Sequence, residues 1–264
     1  MTTRLTNSFF FNILSMNSSY IYHGFEISIL YEDSHIAILN KPSGLITHKK
    51  NIHDSEVSLQ DSLSQKFEII DDEVGKEGIV HRLDKDTSGL IIITKNKTIK
   101  QIFQDLFKNR LITKHYLAIS YGVLNQSYIE VSKNITRQKH QRTKFKTAQF
   151  EGKEALTKIT NLKTYHGSIS LLDCEIITGR THQIRVHLTS LGLPIIGDKS
   201  YILDKEQKFR LNNLKKDIVD TLNSFPRQAL HSYHVEFEHP ISKKSIKITC
   251  DLPDDMKDLQ AKLQ

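Results

Sequence analysis

The 264-residue sequence contains two cysteines, no tryptophan and no apolar run long enough to span a membrane. Cys174 and Cys250 are far apart and form no CxxC pair, so neither a disulfide framework nor a cysteine-type zinc site is supported. We therefore expect two reduced thiols in a cytoplasmic protein. A bilayer-spanning helix needs about 20 apolar residues, and the FFFNIL stretch at 9–14 is too short. We predict no membrane partner.

Sequence motifs for cofactors, metals and serine hydrolases are also missing. The NKPSGL stretch at 40–45 lacks P-loop spacing, and neither GxGxxG nor GxSxG occurs. Among 13 histidines, His182 and His187 lie five positions apart, which differs from the spacing of a helical HExxH pair. No carboxylate-rich cluster accompanies them, so we predict neither a cofactor nor a metal site.

Acidic residues are missing from residues 1–25, which hold a single arginine, Arg4. The segment has no strongly basic start and no clear cleavage site, so a signal peptide is not predicted. An organelle transit peptide remains an alternative, although arginine is scarce, and Met16 offers a second start. We expect residues 1–25 to form an N-terminal extension, a candidate for disorder, and residues 26–264 to form one domain.

Positive charge is the main compositional feature, with a net charge of +7. It favours an anionic partner, with nucleic acid ahead of an anionic membrane surface. The alternating RTKFKTAQF stretch predicts a hairpin, and residues 133–147 contain no acidic residue. The region is either a solvated charged loop or an arm that grips RNA phosphates. Its basic residues are Lys133, Arg137, Lys139, Arg142, Lys144 and Lys146.

Short apolar runs and helical patterns alternate irregularly along the chain. The runs at 27–30, 36–39 and 90–93 predict strands, and helical spacing occurs at 56–70 and 98–109. Further strands are predicted in KHYLAISYG, before Ile177 and in the last third of the chain. In that last third, helices are predicted for residues 203–223 and for the segment after Pro253. This irregular order indicates an α+β fold and not a doubly wound sheet.

The stretch GIVHRLDKDTSGLIIITK at 78–95 places five ionisable groups between two apolar runs, which we expect to be strands. Asp84 and Asp86 either cap an ordinary turn or hold a carboxylate at the edge of a core for chemistry. Arg185 lies in a similarly polar break beside an apolar run. A buried pair of Asp84 and Arg185 would keep the carboxylate ionised and oriented, as a nucleophile requires.

Five blocks of sequence stand out along the chain. They are LNKPSGLITH at 39–48, HRLDKDTSGL at 81–90, KHYLAISYG at 114–122, TGRTHQIRVHLTSLGLPIIGDKSY at 178–201 and RQALHSYHVEFEHP at 227–240. In this order they resemble the RluA-type RNA pseudouridine synthases. The resemblance covers the chain from about residue 27 to near its end, and agreement of five ordered blocks makes it specific.

The resemblance implies the pseudouridine synthase fold, an α+β fold with a mixed, mostly antiparallel central sheet flanked by helices and loops around an RNA-binding cleft. It implies isomerisation of uridine to pseudouridine in RNA, in which the N-glycosidic bond breaks, the uracil turns and a carbon joins it again to the sugar. The family needs no cofactor or metal. Residues 1–25 leave no room for the N-terminal S4 domain of many family members, so we expect a member without it.

The expected partner is RNA, with large-subunit (23S) ribosomal RNA first and transfer RNA as the alternative, and the expected state is a monomer. Two other functions stay open at this point. One is a non-catalytic RNA-binding factor in ribosome assembly. The other is a hydrolase that uses Asp84 and Asp86 as a carboxylate pair.

The resemblance also assigns candidate catalytic residues by motif position. Asp84 matches the catalytic aspartate, which attacks the sugar C1′ or assists departure of the uracil, and Arg185 matches the arginine that pairs with it. Tyr116 matches the active-site tyrosine, whose ring can stack on uracil and whose hydroxyl is the expected base for a ribose proton. Asp86 falls at a variable position and is expected in the turn.

The candidate RNA-binding residues lie in three places. Arg82 matches the arginine that enters the RNA stack when the uridine flips out, since a planar guanidinium can replace a base. Arg180 and His182 are expected close to the RNA, with a purely structural role as the alternative. The basic arm adds Arg137, Lys139, Arg142 and Lys144.

Overall fold

The computed structural model describes residues 18–49, 53–69, 78–141, 143–202 and 214–264. The first strands are β1 Ser18–Tyr22, β2 Phe25–Glu32, β3 Ile36–Lys41, β4 Ser88–Thr94, β5 Thr113–Tyr121 and β6 Tyr128–Ser132. They are followed by β7 Asn134–Arg137, β8 Phe145–Ala148, β9 Leu156–Tyr165, β10 Ile169–Ile176, β11 Leu230–Glu238 and β12 Ser245–Thr249. The helices are α1 Leu59–Lys66, α2 Lys97–Lys108, α3 Gln183–Ser190, α4 Lys216–Ser224 and α5 Asp254–Lys262.

Ten of the strands form one sheet in the order β1-β2-β3-β4-β11-β5-β10-β9-β6, with β12 paired to β11. β4 and β11 pair in parallel, and every other pairing in this sheet is antiparallel. The strands β7 and β8 form a separate two-stranded sheet. The predicted α+β fold with a mixed, mostly antiparallel sheet is confirmed.

The apolar run of β4 is buried along its whole length, because both faces of the sheet are covered. Ile91 and Ile93 point into the cluster that contains α1, through Leu63. Leu90 and Ile92 point into the opposite cluster, with side chains of α2. Fully burying one such side chain contributes about 1.5–3 kcal/mol, so this strand anchors the region that follows the HRLD motif.

The first two helices begin at residues that cap their free amides. Ser58 and Asp61 form a reciprocal capping box at the start of α1. The Asn96 side chain accepts a hydrogen bond from the Ile99 N–H at the start of α2. Ser58 lies within the helical pattern predicted for 56–70 and Asn96 lies two residues before the pattern predicted for 98–109, and both helices are present.

The predicted hairpin in the basic segment is confirmed. β7 pairs with β8 in antiparallel register, with Arg137 opposite Phe145. Residues 216–224 of the charged segment form α4, whereas residues 203–213 lie outside the described residues. Residues 18–22 of the expected N-terminal extension form β1, which pairs with β2.

The prediction of a strand directly before the HRLD motif was wrong. Only Ile79 bridges to Ile93 there, and residues 80–87 form no strand. The His81 ring accepts the Ile92 N–H at 2.8 Å, so a side chain, not a neighbouring strand, satisfies this amide of β4. The backbone N–H and C=O of Leu83 both bond to the Thr47 hydroxyl. The carboxylate therefore lies on a loop tied to its neighbours by side chains.

Gly89 lies where the two halves of the sheet meet. β4 and β11 are paired only through Ser88 with His231 and Gly89 with Ser232. Gly89 has φ +112°, and a Cβ added there would lie 2.2 Å from the Ser232 carbonyl oxygen. A side chain at this position would force the strands apart.

We predict that Gly89→Ala lowers the free energy of unfolding by about 2–4 kcal/mol, from backbone strain and overpacking together. Urea unfolding followed by circular dichroism measures this. Gly167→Ala is the matched control, because Gly167 also has positive φ, at +60°, but a Cβ there would contact nothing within 4 Å. Equal losses in the two variants would contradict the explanation from close approach.

Candidate active site

A cleft of about 500 Å³ opens beside the sheet. Its walls come from the loop 80–87, the end of α2, the start of β5 and the segment 176–185 at the start of α3. Among the described residues that line it, six carry a positive charge and one, Asp84, is a carboxylate. The six are Arg82, Lys108, Arg110, Lys114, Arg180 and Arg185. Such a cleft attracts polyanions.

Arg185 joins two carboxylates through one guanidinium group. Its Nη1 donates to Asp84 Oδ2 at 2.9 Å, while Nε and Nη2 donate to Asp198 at 2.7 and 2.9 Å. The side chain of Asp198 is fully buried and that of Asp84 is 18% exposed. Burial opposes the charged form of Arg185, but the two carboxylates outweigh it and raise the pKa of Arg185. Asp84 is therefore fixed in place with one side open to the cleft.

The loop that carries Asp84 is held on one side by the segment 41–47. The Thr47 hydroxyl donates to the Leu83 carbonyl at 2.8 Å and accepts from the Leu83 N–H at 3.2 Å. The Gly44 N–H and the Lys41 ammonium both donate to the Lys85 carbonyl, at 2.9 and 3.1 Å. Each bond contributes about 1 kcal/mol, and together they fix the backbone on both sides of the carboxylate.

The C-terminal block holds the same loop from the other side. Arg227 donates to the Asp86 carbonyl at 3.1 Å and is itself oriented by two bonds to Asp255, at 2.6 and 2.8 Å. The Gln228 amide donates to the Thr87 hydroxyl at 3.2 Å. The backbone carbonyl of Asp86 thus helps to hold the loop, and the Asp86 carboxylate is not among the described groups that line the cleft. This argues against a two-carboxylate hydrolase.

Lys41 is fully buried beneath the loop. Its ammonium donates to the carbonyls of Pro42, Leu45 and Lys85 at 2.8, 2.8 and 3.1 Å. Burial lowers the pKa of Lys41 to about 7, and the Asp84 carboxylate acts in the opposite direction. Because an ammonium has three N–H donors, the charged form matches its three carbonyl acceptors. Lys41 links the first block to the candidate site.

His182 and Tyr201 connect Asp84 to the basic hairpin. His182 Nε2 lies 3.8 Å from Asp84 Oδ2, and its Nδ1 lies 2.9 Å from the Tyr201 hydroxyl. The same hydroxyl accepts the Phe145 N–H of β8 at 2.9 Å. The Arg185 guanidinium lies 5.0 Å from the centre of the Tyr201 ring. Burial lowers the pKa of His182, so this ring is neutral at pH 7.

Tyr116 lies on β5, is 5% exposed and lines the cleft together with Asp84. Burial raises the pKa of Tyr116 to about 12, and the charge of Asp84 acts in the same direction. Its hydroxyl therefore keeps its proton at neutral pH. A tyrosine offers an apolar ring and a hydroxyl that can donate a hydrogen bond.

The structure brings Arg82, Arg180 and His182 to the same cleft as the three candidate catalytic residues. Arg82 is exposed, whereas Arg180 is tied to the Glu154 carbonyl at 2.8 Å and to Gln183 through its backbone N–H at 3.0 Å. Arg180 thus has a structural role as well as a place in the cleft.

The described residues of the arm do not line the cleft. Arg137 and Lys139 are exposed and Lys144 is partly exposed on the hairpin, and Arg142 lies outside the described residues. The Arg137 guanidinium lies 5.4 Å from the centre of the Phe145 ring, which in turn contacts His182 edge-on at 5.4 Å. The hairpin therefore lies beside the site and contacts it through Phe145.

Three residues of the site were missed from the sequence: Asp198, Tyr201 and Lys41. Asp198 and Tyr201 lie in the PIIGDKSY stretch, which reads only as a loop. One signal was available, because a buried arginine has five N–H donors and one carboxylate cannot satisfy them all. A second acceptor for Arg185 was to be expected, but nothing in the sequence indicates that Asp198 supplies it.

Known proteins resemble this chain in sequence and in fold. Residues 35–190 match the model of the RNA pseudouridylate synthase family. The chain belongs to this family. An uncharacterized RNA pseudouridine synthase of Aquifex aeolicus is 34% identical over 90% of this chain and 73% of its own length.

Other relatives of this family are longer. The ribosomal large subunit pseudouridine synthase D of Nitrosomonas europaea is 36% identical over 87% of this chain, which spans 63% of that relative. A solved structure of human RNA pseudouridylate synthase domain containing 1 superposes with a TM-score of 0.64 at 25% identity, covering 89% of this chain and 87% of the human one. The sequence-based assignment to the family is confirmed.

In the described ranges, no three His, Cys, Asp or Glu side chains are grouped so that they could hold a metal ion. None of the helices in those ranges combines the length and the apolar character needed to cross a bilayer.

We predict that Tyr201→Phe lowers the free energy of unfolding by about 1–2 kcal/mol, because the Phe145 N–H and His182 Nδ1 both lose their hydroxyl partner while the ring contacts remain. Urea unfolding and hydrogen exchange of the Phe145 amide measure this. Tyr121→Phe is the control, since Tyr121 is also a buried tyrosine, but its hydroxyl forms none of the side-chain hydrogen bonds found among the described residues. If Tyr201→Phe is as stable as this control and the Phe145 amide stays protected, the connection to the hairpin is not supported.

Proposed function

We propose that this protein isomerises uridine to pseudouridine in RNA, within a catalytic domain of residues 26–264. The observation that carries the proposal is the environment of Asp84. Among the described residues that line the cleft, Asp84 is the single carboxylate and six side chains are cationic. The Nη1 of one of these, Arg185, donates to Asp84 Oδ2 at 2.9 Å. The positive charge attracts a polyanion into the cleft, and the fixed carboxylate of Asp84 then lies next to the bound polyanion.

In this proposal Asp84 acts on the ribose. Arg185 orients the carboxylate through a charge-assisted hydrogen bond, and Asp198 keeps Arg185 from rotating. Attack on C1′ and assistance to the departing uracil both require this arrangement, since each needs an ionised carboxylate close to the sugar with water excluded. The free side of Asp84 opens to the cleft, where a flipped nucleotide fits.

Tyr116 is proposed to stack on the uracil. Because burial raises its pKa to about 12, its hydroxyl is better suited to donating a hydrogen bond than to removing a ribose proton. Arg82, which is exposed and lines the cleft, is proposed to replace the flipped base in the RNA stack. Arg180 and His182 are proposed RNA contacts at the start of α3.

The hairpin is proposed to grip RNA phosphates outside the cleft. Arg137, Lys139 and Lys144 are all at least partly exposed there, and we keep Arg142 in the proposed set on its sequence position alone. Clustered Lys and Arg side chains bind phosphates by releasing counterions.

The proposed substrate is large-subunit ribosomal RNA, with transfer RNA as the alternative. The name of the Nitrosomonas relative favours the ribosomal substrate, although this chain spans only 63% of that protein. Mapping pseudouridines across ribosomal and transfer RNA in cells that lack the gene would identify the target. A non-catalytic RNA-binding role is disfavoured, because Asp84, Tyr116 and Arg185 are all present and meet in one cleft.

We further propose that the protein acts in the cytoplasm as a monomer. Cys174 and Cys250 are free thiols, as expected in a reducing compartment. Asp84, Arg185, Asp198 and Tyr116 all come from one chain, so the site needs no second subunit to be complete.

We predict that Asp84→Asn lowers pseudouridine formation on the order of 10⁴-fold or more, because the reacting carboxylate is lost while its neighbours stay in place. Release of tritium from RNA containing 5-tritiated uridine measures the reaction, and gel shift measures RNA binding, which we expect to change little. Asp86→Asn, in the same turn but outside the cleft, is the control and should keep its activity. Full activity of Asp84→Asn would overturn the proposal.

A further inference from the structure

Lys114 is a cation in the cleft to which the proposed mechanism gives no task. It lies on β5, is 8% exposed and lines the same cleft as Asp84. Its ammonium lies 4.7 Å from the centre of the Phe107 ring. Among the described residues it has no carboxylate, carbonyl or hydroxyl partner. Its Nζ is not among the buried polar atoms that lack a partner, so the ammonium faces the open cleft, where a ligand with a negative charge can pair with it.

The groups around Lys114 do not supply that anion. The His81 ring lies 4.9 Å from Phe107, on the same wall of the cleft, and is uncharged, because its Nε2 accepts the Ile92 N–H. At the end of α2, Lys108 and Arg110 line the cleft and add positive charge. Phe107 offers the face of its ring, which attracts a cation weakly and cannot neutralise it.

The spacing of β5 relates Lys114 to the candidate site. Lys114 and Tyr116 are two residues apart and both line the cleft, whereas His115 between them points to the other face, toward Asp173. Alternate side chains of a strand are about 6.6 Å apart. This is comparable to the distance from a nucleoside to its neighbouring backbone phosphate. A uracil stacked on Tyr116 would therefore place a phosphate near Lys114.

We propose that Lys114 forms a phosphate subsite that binds the RNA backbone beside the nucleotide held at Asp84. The subsite rests on the proposed function for the identity of that nucleotide. A phosphodiester suits the position because an ammonium is a compact charge that pairs with phosphate oxygens. A uracil carbonyl could accept a hydrogen bond there, but it would leave the buried charge uncompensated. Lys108 and Arg110 widen the positive surface for the adjoining backbone.

Desolvation supports this assignment. Burial lowers the pKa of Lys114 to about 8. A phosphate anion bound beside the ammonium favours its charged form and raises this pKa again. Neutral uridine bound through its base supplies no such charge.

The test uses the wild-type chain with isotopically labelled lysine, and uridine, uridine 3′-monophosphate and uridine 5′-monophosphate as probes. The NMR signal of Lys114 is assigned by its loss in Lys114→Met, or in Lys114→Arg if the methionine variant does not fold. We expect at least one uridine monophosphate to raise the pKa of Lys114, and uridine to leave it unchanged. Equal effects of uridine and both monophosphates, or no effect of any probe, would overturn the subsite.

Affinity provides the second measurement. Lys114→Met should weaken binding of the uridine monophosphate about tenfold or more, as for loss of a charge-assisted bond. Lys163→Met is the matched control, because Lys163 also lies on a strand with its ammonium 5.0 Å from an aromatic ring, that of Tyr165, but is exposed and outside the cleft. Equal affinity for the monophosphate in the two variants would contradict the subsite.

The same experiment separates the subsite from the proposed function. Binding of the monophosphates does not depend on turnover, and pseudouridine formation by the wild-type protein is measured separately. If the protein forms pseudouridine but Lys114 does not respond to phosphate, the subsite is wrong and the function stands. If Lys114 binds phosphate and no RNA is modified, the subsite stands and the isomerase proposal fails.

Discussion

Arg185 places a carboxylate from the first third of the chain at the start of α3. Its guanidinium is planar and its donors point in fixed directions, so two bonds to the buried Asp198 determine where the third bond, to Asp84, can form. Removal of either carboxylate would leave one or two N–H donors of the buried guanidinium without an acceptor, and each such donor costs about 1–3 kcal/mol. The position of Asp84 therefore depends on a loop more than a hundred residues away in sequence.

The rest of the fold supplies a rigid support for that pair. The loop around Asp84 is tied to the segment 41–47 on one side and to Arg227 and Gln228 on the other, mostly through backbone atoms. Bonds to the backbone constrain the loop whatever side chains it carries. The close approach of Gly89 to β11 joins the two halves of the sheet directly behind it. Asp84 and Arg185 therefore pair on a backbone that is held nearly rigid.

Much of the fold could be predicted from single segments, because local patterns determine them. The helices at 59–66 and 97–108 and the hairpin of β7 and β8 followed from spacing and alternation. The segment before the HRLD motif was predicted wrongly: its apolar residues look like a strand, but only Ile79 forms a bridge, and the backbone of the following Leu83 bonds to the Thr47 hydroxyl. The pairing of Asp84 with Arg185 was reached through charge and family resemblance. Asp198 and Lys41 were missed, because contacts between distant segments leave no periodic signal in one sequence.

In the proposed mechanism the shape of the Arg185 fork, and not its charge alone, aligns Asp84 for reaction. The most direct measurement is the single-turnover rate of pseudouridine formation in Arg185→Lys, which keeps the charge but cannot bond both carboxylates in the same geometry. A misalignment of about 1 Å costs about 100-fold in rate, so we predict a loss of at least this size with RNA affinity nearly unchanged. A rate close to that of the wild-type protein would contradict the account.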